Sequence, residues 1–189
     1  RGATDNPASR FDTLAAEADA DAYETLRMAD EDVDEQRKTE IFRDTSKTIL
    51  STNDSPDVSM DVTLNPYRGC EHGCIYCYAR PTHEYLGLSA GTDFETKIYA
   101  KDEAPRLLAE KLGSSSWIPK VIHLSGVTDC YQPIEKKLRI TRQCLEVLRD
   151  FRNPASIVTK NLLVTRDLDL LQEMASFNGI KVFISITTL

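Results

Sequence analysis

The stretch KVIHLSG, residues 120–126, is a continuous apolar run that ends at a glycine. A short apolar run with a turn residue at its end predicts a buried β-strand. Three further runs of this kind occur, at Met60–Leu64, Ser156–Thr159 and Lys181–Thr188. Strands that are apolar along their whole length are typical of a parallel sheet covered on both faces.

Helical patterns separate these strands. Residues 102–113, DEAPRLLAEKLG, have an N-cap aspartate, an early proline and a final glycine, and Ile134–Phe151 places apolar residues at helical spacing. A short helix ends at Gly87 and another helix at Asn178-Gly179, whereas Asp93–Lys101 has an extended pattern. This alternation predicts an α/β fold with about four βα units and a parallel sheet.

Polar residues lie at or after the carboxyl ends of the predicted strands. Thr128 and Asp129 follow the strand quoted above, and Lys160 follows the next one. Ser185 and Thr187 lie on the last strand, where strand alternation puts both on the same face. Active sites of βα proteins form at this edge, so these five residues are candidates for the site.

The acidic residues are concentrated in the first part of the chain. Residues 1–57 carry 15 acidic and 7 basic side chains, whereas residues 58–189 carry 15 and 16. This division predicts an acidic N-terminal extension, helical or partly disordered, followed by a core that begins at residue 58. The near-neutral core has no basic face of the kind that binds nucleic acid.

Composition also limits the compartment. No run of about 18 apolar residues occurs, so no membrane-spanning segment is predicted. The five cysteines are odd in number and clustered, which does not fit a secreted disulfide framework. We therefore expect a cytoplasmic protein in which the clustered thiols bind a metal.

Three of the cysteines, Cys70, Cys74 and Cys77, lie in residues 69–81, GCEHGCIYCYARP. Thiolates are soft ligands that suit zinc or an iron–sulfur cluster. The spacing C-x3-C-x2-C puts the three sulfurs in one tight loop, close enough to hold three corners of a cubane.

A structural zinc ion would need a fourth ligand. His72 and His83 are the nearest nitrogen candidates, but His72 lies between two of the cysteines and His83 fits no recurring zinc spacing. An iron–sulfur cluster with one open iron is therefore the more economical interpretation.

With Tyr76 as the aromatic residue, the pattern C-x3-C-x-aromatic-C resembles the cluster motif of the radical S-adenosylmethionine (radical SAM) superfamily. The stretches NPYRGCEHGCIYCYARP, GVTDCYQPIE, IVTKN and FISITT resemble its spore photoproduct lyase-like branch, particularly uncharacterised bacterial members. The resemblance covers most of residues 60–189 and implies a partial (βα) barrel. About four units are fewer than that barrel has, so we expect a truncated barrel that binds a cluster weakly and is a poor or inactive enzyme.

The resemblance implies a lyase-like enzyme with two cofactors, a [4Fe-4S] cluster and S-adenosyl-L-methionine. Reductive cleavage of S-adenosylmethionine at the open iron gives a 5′-deoxyadenosyl radical, which abstracts hydrogen from the substrate. An electron donor such as flavodoxin or ferredoxin is the implied partner. The substrate is left open; a nucleic-acid-related molecule is one candidate, although the charge of the core does not support it.

The resemblance also implies roles for individual residues. Cys70, Cys74 and Cys77 would bind the cluster, and the backbone at Tyr76 would lie against the adenine. The segment Gly126–Asp129 would hold the methionine amino group.

Within that segment, Asp129 would accept from the ammonium with help from Thr128. Lys160 would pair with the methionine carboxylate, and Ser185 or Thr187 would reach the ribose. The alternative for the pair Thr128-Asp129 is a strand-ending turn, and the alternative for Lys160 is a solvated loop lysine.

The chain departs from the photoproduct lyases at Gly126, where those enzymes have a hydrogen-donating cysteine. Cys130, beside the predicted cofactor site, is a candidate donor, whereas Cys144 and His123 have the spacing of packed interior residues. The departure puts thymine-dimer repair in doubt. A non-catalytic module that binds a metal or an iron–sulfur cluster and acts through a partner is the alternative function.

Overall fold

The structure, a computed structural model, describes residues 2–7, 38–54, 57 and 60–186. These residues form a mixed α/β arrangement with two sheets. The strands are β1 (Glu40–Arg43), β2 (Leu50–Thr52), β3 (Val62–Leu64), β4 (Tyr67–Arg68), β5 (Lys97–Ala100), β6 (Ile122–Leu124), β7 (Ala155–Thr159) and β8 (Ile180–Ile184). The helices are α1 (Thr92–Thr96), α2 (Ala104–Leu112), α3 (Glu135–Leu138), α4 (Ile140–Asp150) and α5 (Leu168–Ala175), with 3-10 helices at Arg80–Leu86 and Leu162–Asp167.

The larger sheet has the strand order β2-β3-β6-β7-β8. Strands β3, β6, β7 and β8 are parallel to one another, and β2 adds an antiparallel edge. The four predicted strands are therefore confirmed as a parallel set. The described residues form no closed barrel, and the second sheet has the order β1-β5-β4.

Two predicted elements differ from the structure. The stretch Asp93–Lys101, expected to be extended, lies in helix α1 up to Thr96 and continues as β5. The helix expected over Ile134–Phe151 is divided into α3 and α4 at Arg139, which has a left-handed backbone with φ 56°. Local periodicity did not reveal either change. Burial of Phe94 and Glu95 favours the helical turn α1, and the left-handed backbone of Arg139 divides the second helix.

Residues from the predicted acidic extension join the compact part of the protein. Strand β1 pairs with β5 in parallel, and β2 pairs with β3. At the beginning of the chain, Gly2 N donates to Gly73 O at 2.9 Å, and Ala3 N donates to Glu95 Oε1 at 2.8 Å. The boundary expected at residue 58 therefore leaves out two paired strands, and residues 8–37 lie outside the described part.

The main apolar core lies between the larger sheet and helices α2, α4 and α5. Leu64, Leu124 and Ile157 from three neighbouring strands are buried in it, with Leu108 and Leu145 from the helices. At the other edge, Val182, Phe183 and Ile184 of β8 remain partly exposed. Among the described residues, no helix is long and apolar enough to cross a membrane.

Candidate functional site

A cavity of about 260 Å³ lies at the carboxyl ends of the parallel strands. It brings together all three clustered cysteines with Tyr76, Asp129, Lys160 and Ser185, which the sequence also proposed for the site. The other lining residues are Met60, His72, Tyr78, Phe94, Ser125, Val127, Val158 and Thr159. Residues about 110 positions apart in the chain therefore meet in one concave site.

The cysteine loop is shaped by tight turns. Gly69 and Gly73 have φ values of 78° and 58°, and a Cβ at Gly69 would lie 2.9 Å from Phe94 O. Cys70 N donates to Phe94 O at 2.8 Å, and Cys77 N donates to Cys74 O at 3.1 Å. The left-handed turns and these backbone bonds curl the loop so that the cysteines face one cavity.

Arg80 holds the loop to the neighbouring helix. Its guanidinium donates to Cys74 O at 3.0 Å and to Gly91 O at 3.1 Å, and it pairs with Glu95. The Glu95 carboxylate is almost completely buried, so this ion pair is shielded from water. Arg80 therefore couples the position of the cysteine loop to the start of the chain, where Ala3 binds the same carboxylate.

The three thiols differ in environment. Cys70 is buried, whereas Cys74 and Cys77 are half-buried. Burial raises the pKa of the Cys70 thiol to about 12, although hydrogen bonds from the backbone N–H groups of His72 and Asp129 act in the opposite direction. Those two N–H groups are placed to stabilise a sulfur that carries negative charge.

Within the described residues, no three Cys, His, Asp or Glu side chains are arranged to hold one metal ion. Convergence of that kind is what a single zinc ion needs. In a cubane each thiolate binds a different iron, so its sulfurs are spread over the corners of the cluster.

Asp129 is almost fully engaged by the protein. Its Oδ1 accepts from Thr159 Oγ1 at 2.7 Å and from Tyr131 N at 2.9 Å, and its Oδ2 accepts from Lys160 N at 3.0 Å. His72 Nε2 lies 3.3 Å from Oδ2. Burial acts to raise the pKa of Asp129, but hydrogen bonds from His72, Lys160 and Thr159 outweigh it and lower the pKa, so the carboxylate is ionised.

Lys160 and Ser185 lie at the ends of adjacent strands. Burial lowers the pKa of Lys160, but electrostatic interactions with acidic groups around it, including Asp129, outweigh this and raise it. Lys160 is thus a cation directed at the cysteine loop. Ser185 N donates to Thr159 O at 2.8 Å, which continues the pairing of β8 with β7 past the end of the strand.

Three other predicted site residues do not line this cavity. Thr128 is buried, and its hydroxyl donates to Tyr67 O at 2.9 Å, so it faces away from the cysteines. Cys130 is completely buried in the main core, where burial raises the pKa of its thiol far above the usual value. Both side chains therefore pack toward the interior of the protein rather than toward the cavity. Their positions in the sequence alone did not reveal this direction.

Gly126 also does not line the cavity. A glycine is needed at this position beside the cavity, because a side chain would have no room. A Cβ at this position would lie 2.8 Å from Thr63 Cγ2. Its carbonyl accepts from Tyr78 Oη at 2.5 Å. Thr187 lies outside the described residues.

Sequence analysis missed several residues that build the site. Tyr78 and Thr159 line the cavity, and their hydroxyls donate to Gly126 O and Asp129 Oδ1. His72 Nε2 lies beside the Asp129 carboxylate. Gln132 binds the cysteine loop from outside the cavity, accepting from Glu71 N at 2.9 Å and donating to Gly69 O at 3.1 Å. Gln132 lies within the stretch GVTDCYQPIE, close behind Asp129, and this position in the sequence could have indicated that it helps to build the site.

Cys144 and His123, expected to be packed interior residues, lie away from the cavity, and so does His83, a candidate zinc ligand by sequence. Cys144 is completely buried in the main core. His123 Nδ1 lies 2.6 Å from Ser156 Oγ, so it has a partner within the sheet. His83 Nε2 lies 3.0 Å from Lys97 O and packs against Phe94, outside the cavity lining.

Comparisons with known proteins find relatives but no established family. Uncharacterised proteins of Mycobacterium tuberculosis and Mycobacterium bovis are each 40% identical over 124 residues, which is 66% of this chain and 36% of theirs. An uncharacterised protein of Methanocaldococcus jannaschii is 32% identical over 139 residues, 74% of this chain and 49% of its own. No family model and no solved structure matches the chain significantly. The chain therefore spans between about a third and half of the relatives it matches.

Proposed function

We propose that this chain is part of a radical SAM enzyme of the spore photoproduct lyase-like branch, with the described α/β core as part of a partial (βα) barrel. The observation that carries the proposal is the shared cavity. Three cysteines from one loop line it together with an ionised aspartate, a lysine and a serine from the ends of parallel strands.

The donor set fits a cubane cluster in two ways. Cys70, Cys74 and Cys77 all line the cavity, and two backbone N–H groups hydrogen-bond to the most buried sulfur. Burial raises the pKa of the Cys70 thiol, so a bound iron ion would have to stabilise the thiolate in place of the proton. Lys160 adds a positive charge beside the thiolates.

When bound, the cluster supplies one electron for cleavage of S-adenosylmethionine, which yields the radical that attacks the substrate. The protein's own residues position the reactants. Lys160 would pair with the methionine carboxylate, the Tyr76 backbone would contact the adenine, and Ser185 would bind the ribose.

Asp129 has a second role in this proposal. Three hydrogen-bond donors of the protein already occupy its carboxylate, so it has limited capacity left for a ligand ammonium. Its contribution is chiefly to hold the Lys160 backbone and His72 in place around the cavity.

Anaerobic reconstitution, with iron and sulfide, of a chain of the relatives' length tests the proposal, because the 189-residue chain alone is expected to bind the cluster weakly. A brown protein with the broad visible absorbance of an iron–sulfur cluster is expected, and dithionite with S-adenosylmethionine should then yield 5′-deoxyadenosine. A natural donor of the flavodoxin or ferredoxin type should replace dithionite. A cluster without cleavage, in a chain of the relatives' length, would identify a non-catalytic iron–sulfur module instead.

Replacing Cys74 by alanine should abolish both cluster absorbance and 5′-deoxyadenosine formation, because the cluster loses one of three thiolates. Cys144→Ala is the matched control, since Cys144 is buried in the main core and does not line the cavity. It should lower stability but keep the cluster. Equal cluster content in the Cys74→Ala protein and the wild type would remove the ligand assignment.

A further inference from the structure

A second cavity, of about 600 Å³, lies between the edge strand β2, helix α2 and the segment that leads into β6. It shares no lining residue with the cysteine cavity. Its volume is in the range of sites for small organic ligands. A ligand in this cavity would therefore bind independently of the proposed radical SAM site.

The floor of this cavity is aliphatic. Ile49 and Val62 are buried in the main core, and Leu50 and Leu107 pack against it from the cavity side. The methyl and methylene groups of these side chains, which come from two strands and a helix, form the floor of the cavity. Such a floor gains free energy by removing an aliphatic chain from water.

The rim is cationic. Lys47, Lys111 and Lys120 are all exposed at the cavity, and none forms an ion pair with a carboxylate in the described part of the chain. Glu110 is the acidic residue of the lining, and it pairs with Arg106. The rim therefore presents lysine charges that a negatively charged ligand would neutralise.

Trp117 forms the wall between the floor and the rim. Its Nε1 donates to Asn153 Oδ1 at 3.0 Å, which fixes the indole ring. The ammonium groups of Lys111 and Lys120 each lie 5.9 Å from the ring centroid. The ring therefore attracts two of the lysines that line the same cavity as the aliphatic side chains.

We propose that this cavity binds an anionic amphiphile, with an aliphatic tail on the floor and a carboxylate or phosphate head between Lys111 and Lys120. Charge complementarity favours an anion over a neutral lipid, and the aliphatic floor favours a hydrocarbon chain over a purely polar anion. A nucleotide fits less well, because both ammonium groups lie over the ring on which a base would stack.

Trp117 is the single tryptophan of the sequence, so its fluorescence reports on this cavity alone. Titration of the 189-residue chain with decanoate or decyl phosphate, below their micelle-forming concentrations, should give a saturable shift of the emission to shorter wavelength. Decanol tests the need for charge, inorganic phosphate tests the need for the tail, and AMP tests an aromatic anion. Decanoate and decyl phosphate distinguish a fatty acid from a phosphate ester as the preferred head.

The variant Lys111→Glu with Lys120→Glu should weaken decanoate binding by about tenfold, since it replaces two attractive charges by repulsive ones. Lys137→Glu is the matched control, because Lys137 is an exposed lysine that does not line the cavity. It should bind as the wild type does. Far-ultraviolet circular dichroism establishes that all three proteins have the same fold.

Three kinds of result would overturn the proposal. One is the absence of any saturable change in Trp117 emission with either amphiphile. Another is decanol binding as tightly as decanoate, or unchanged affinity in the double lysine variant, since either would remove the role of the rim. The third is tighter binding of AMP than of decanoate, which would assign the cavity to aromatic anions.

Discussion

Asp129 joins three parts of the site through its two carboxylate oxygens. Oδ1 accepts a hydrogen bond from the Thr159 hydroxyl at the end of β7. Oδ2 accepts a hydrogen bond from the Lys160 backbone N–H and lies beside His72 of the cysteine loop. The end of β7 at Thr159 and the cysteine loop at His72, 87 residues apart in sequence, are thereby held together. The ionised carboxylate is stabilised by hydrogen bonds within the protein. Its lowered pKa therefore does not require a bound ligand.

Thr128, next to it, stabilises the fold rather than the cavity. Thr128→Val keeps the side-chain shape but leaves the Tyr67 carbonyl without its hydroxyl donor, so we expect the free energy of unfolding to fall by about 1–2 kcal/mol. Urea denaturation measures this change. Thr165→Val is the control, since its exposed hydroxyl bonds only to Leu162 O within the same helix, and it should change stability by less than about 0.5 kcal/mol. Equal effects of the two substitutions would contradict the buried role of Thr128.

Motif spacing predicted the cysteines because the three sulfurs lie in one loop, where local sequence determines proximity. The same reasoning placed Thr128 and Cys130 in the site, and they face the interior instead. Their neighbour Asp129 does line the cavity. Side-chain direction in this irregular segment depends on hydrogen bonds to distant residues, such as the one from Thr128 to Tyr67, and sequence periodicity does not contain that information.

At the scale of elements, the junction of α3 and α4 is the clearest departure from periodicity. Apolar spacing continues through the junction, but Arg139 adopts φ 56° and ψ 27°, so the axis of the helix changes there. A left-handed backbone costs a residue with a side chain about 1 kcal/mol more than glycine. The break positions Glu135 on one side and Thr141 on the other, and Thr141 N donates to the Glu135 carboxylate at 3.0 Å.

Replacing Arg139 by glycine should therefore raise the free energy of unfolding by about 0.5–1 kcal/mol, because the strained backbone angle is relieved. Arg149→Gly, in the last turn of helix α4, is the control and should lower it by about 1 kcal/mol, because glycine is unfavourable in a helix and the exposed ion pairs with Asp150 and Glu173 are lost. Thermal or urea unfolding compares the two. Loss of stability of similar size in both proteins would show that Arg139 is not strained.

Helix α1 shows how tertiary contacts override a local extended pattern. Phe94 and Glu95 are both buried: Phe94 packs against the cysteine loop, and Glu95 pairs with Arg80. These contacts are made by residues that precede α1 by more than ten positions, and Glu95 also binds the beginning of the chain. The helical turn therefore forms because it places both side chains against the loop that carries the cysteines.

At the scale of the whole molecule, a buried ionic network ties helices α3 and α4 to the 3-10 helix Leu162–Asp167. Asp167 is completely buried and pairs with Arg142 and Arg166, and Arg166 also pairs with the buried Glu135. Removal of one charge from such a network leaves the others uncompensated in a region of low dielectric constant. The packing of these helical segments thus depends on electrostatics as well as on apolar contacts.

The network makes stability depend on pH in a defined direction. Burial acts to raise the pKa of Asp167, but hydrogen bonds from Arg166 and Arg142 outweigh it and lower the pKa. A carboxyl whose pKa is lower in the folded state stabilises the protein above its unfolded pKa of about 4, and this contribution is lost as the pH falls through the folded value. Asp167→Asn should therefore destabilise the protein most at neutral pH, and the difference from wild type should shrink below about pH 4.

Urea unfolding from pH 7 to pH 3 measures this difference. Asp150→Asn is the control, because the Asp150 side chain is mostly exposed and its pair with Arg149 contributes little. Its stability difference from wild type should stay small at every pH. A difference for Asp167→Asn that is constant across the range would contradict the lowered pKa.

The sequence by itself determined the alternation of strands and helices, the parallel set of four strands and the loop that holds the three cysteines. These features follow from patterns within 20 residues or so, where composition and spacing control the backbone. Tertiary structure decided the rest: which strand-end residues face the cavity, where the helix breaks at Arg139, and that strands β1 and β2 join the sheets. Those outcomes depend on burial and hydrogen bonds between distant residues, whose free energies exceed the local preferences of the chain.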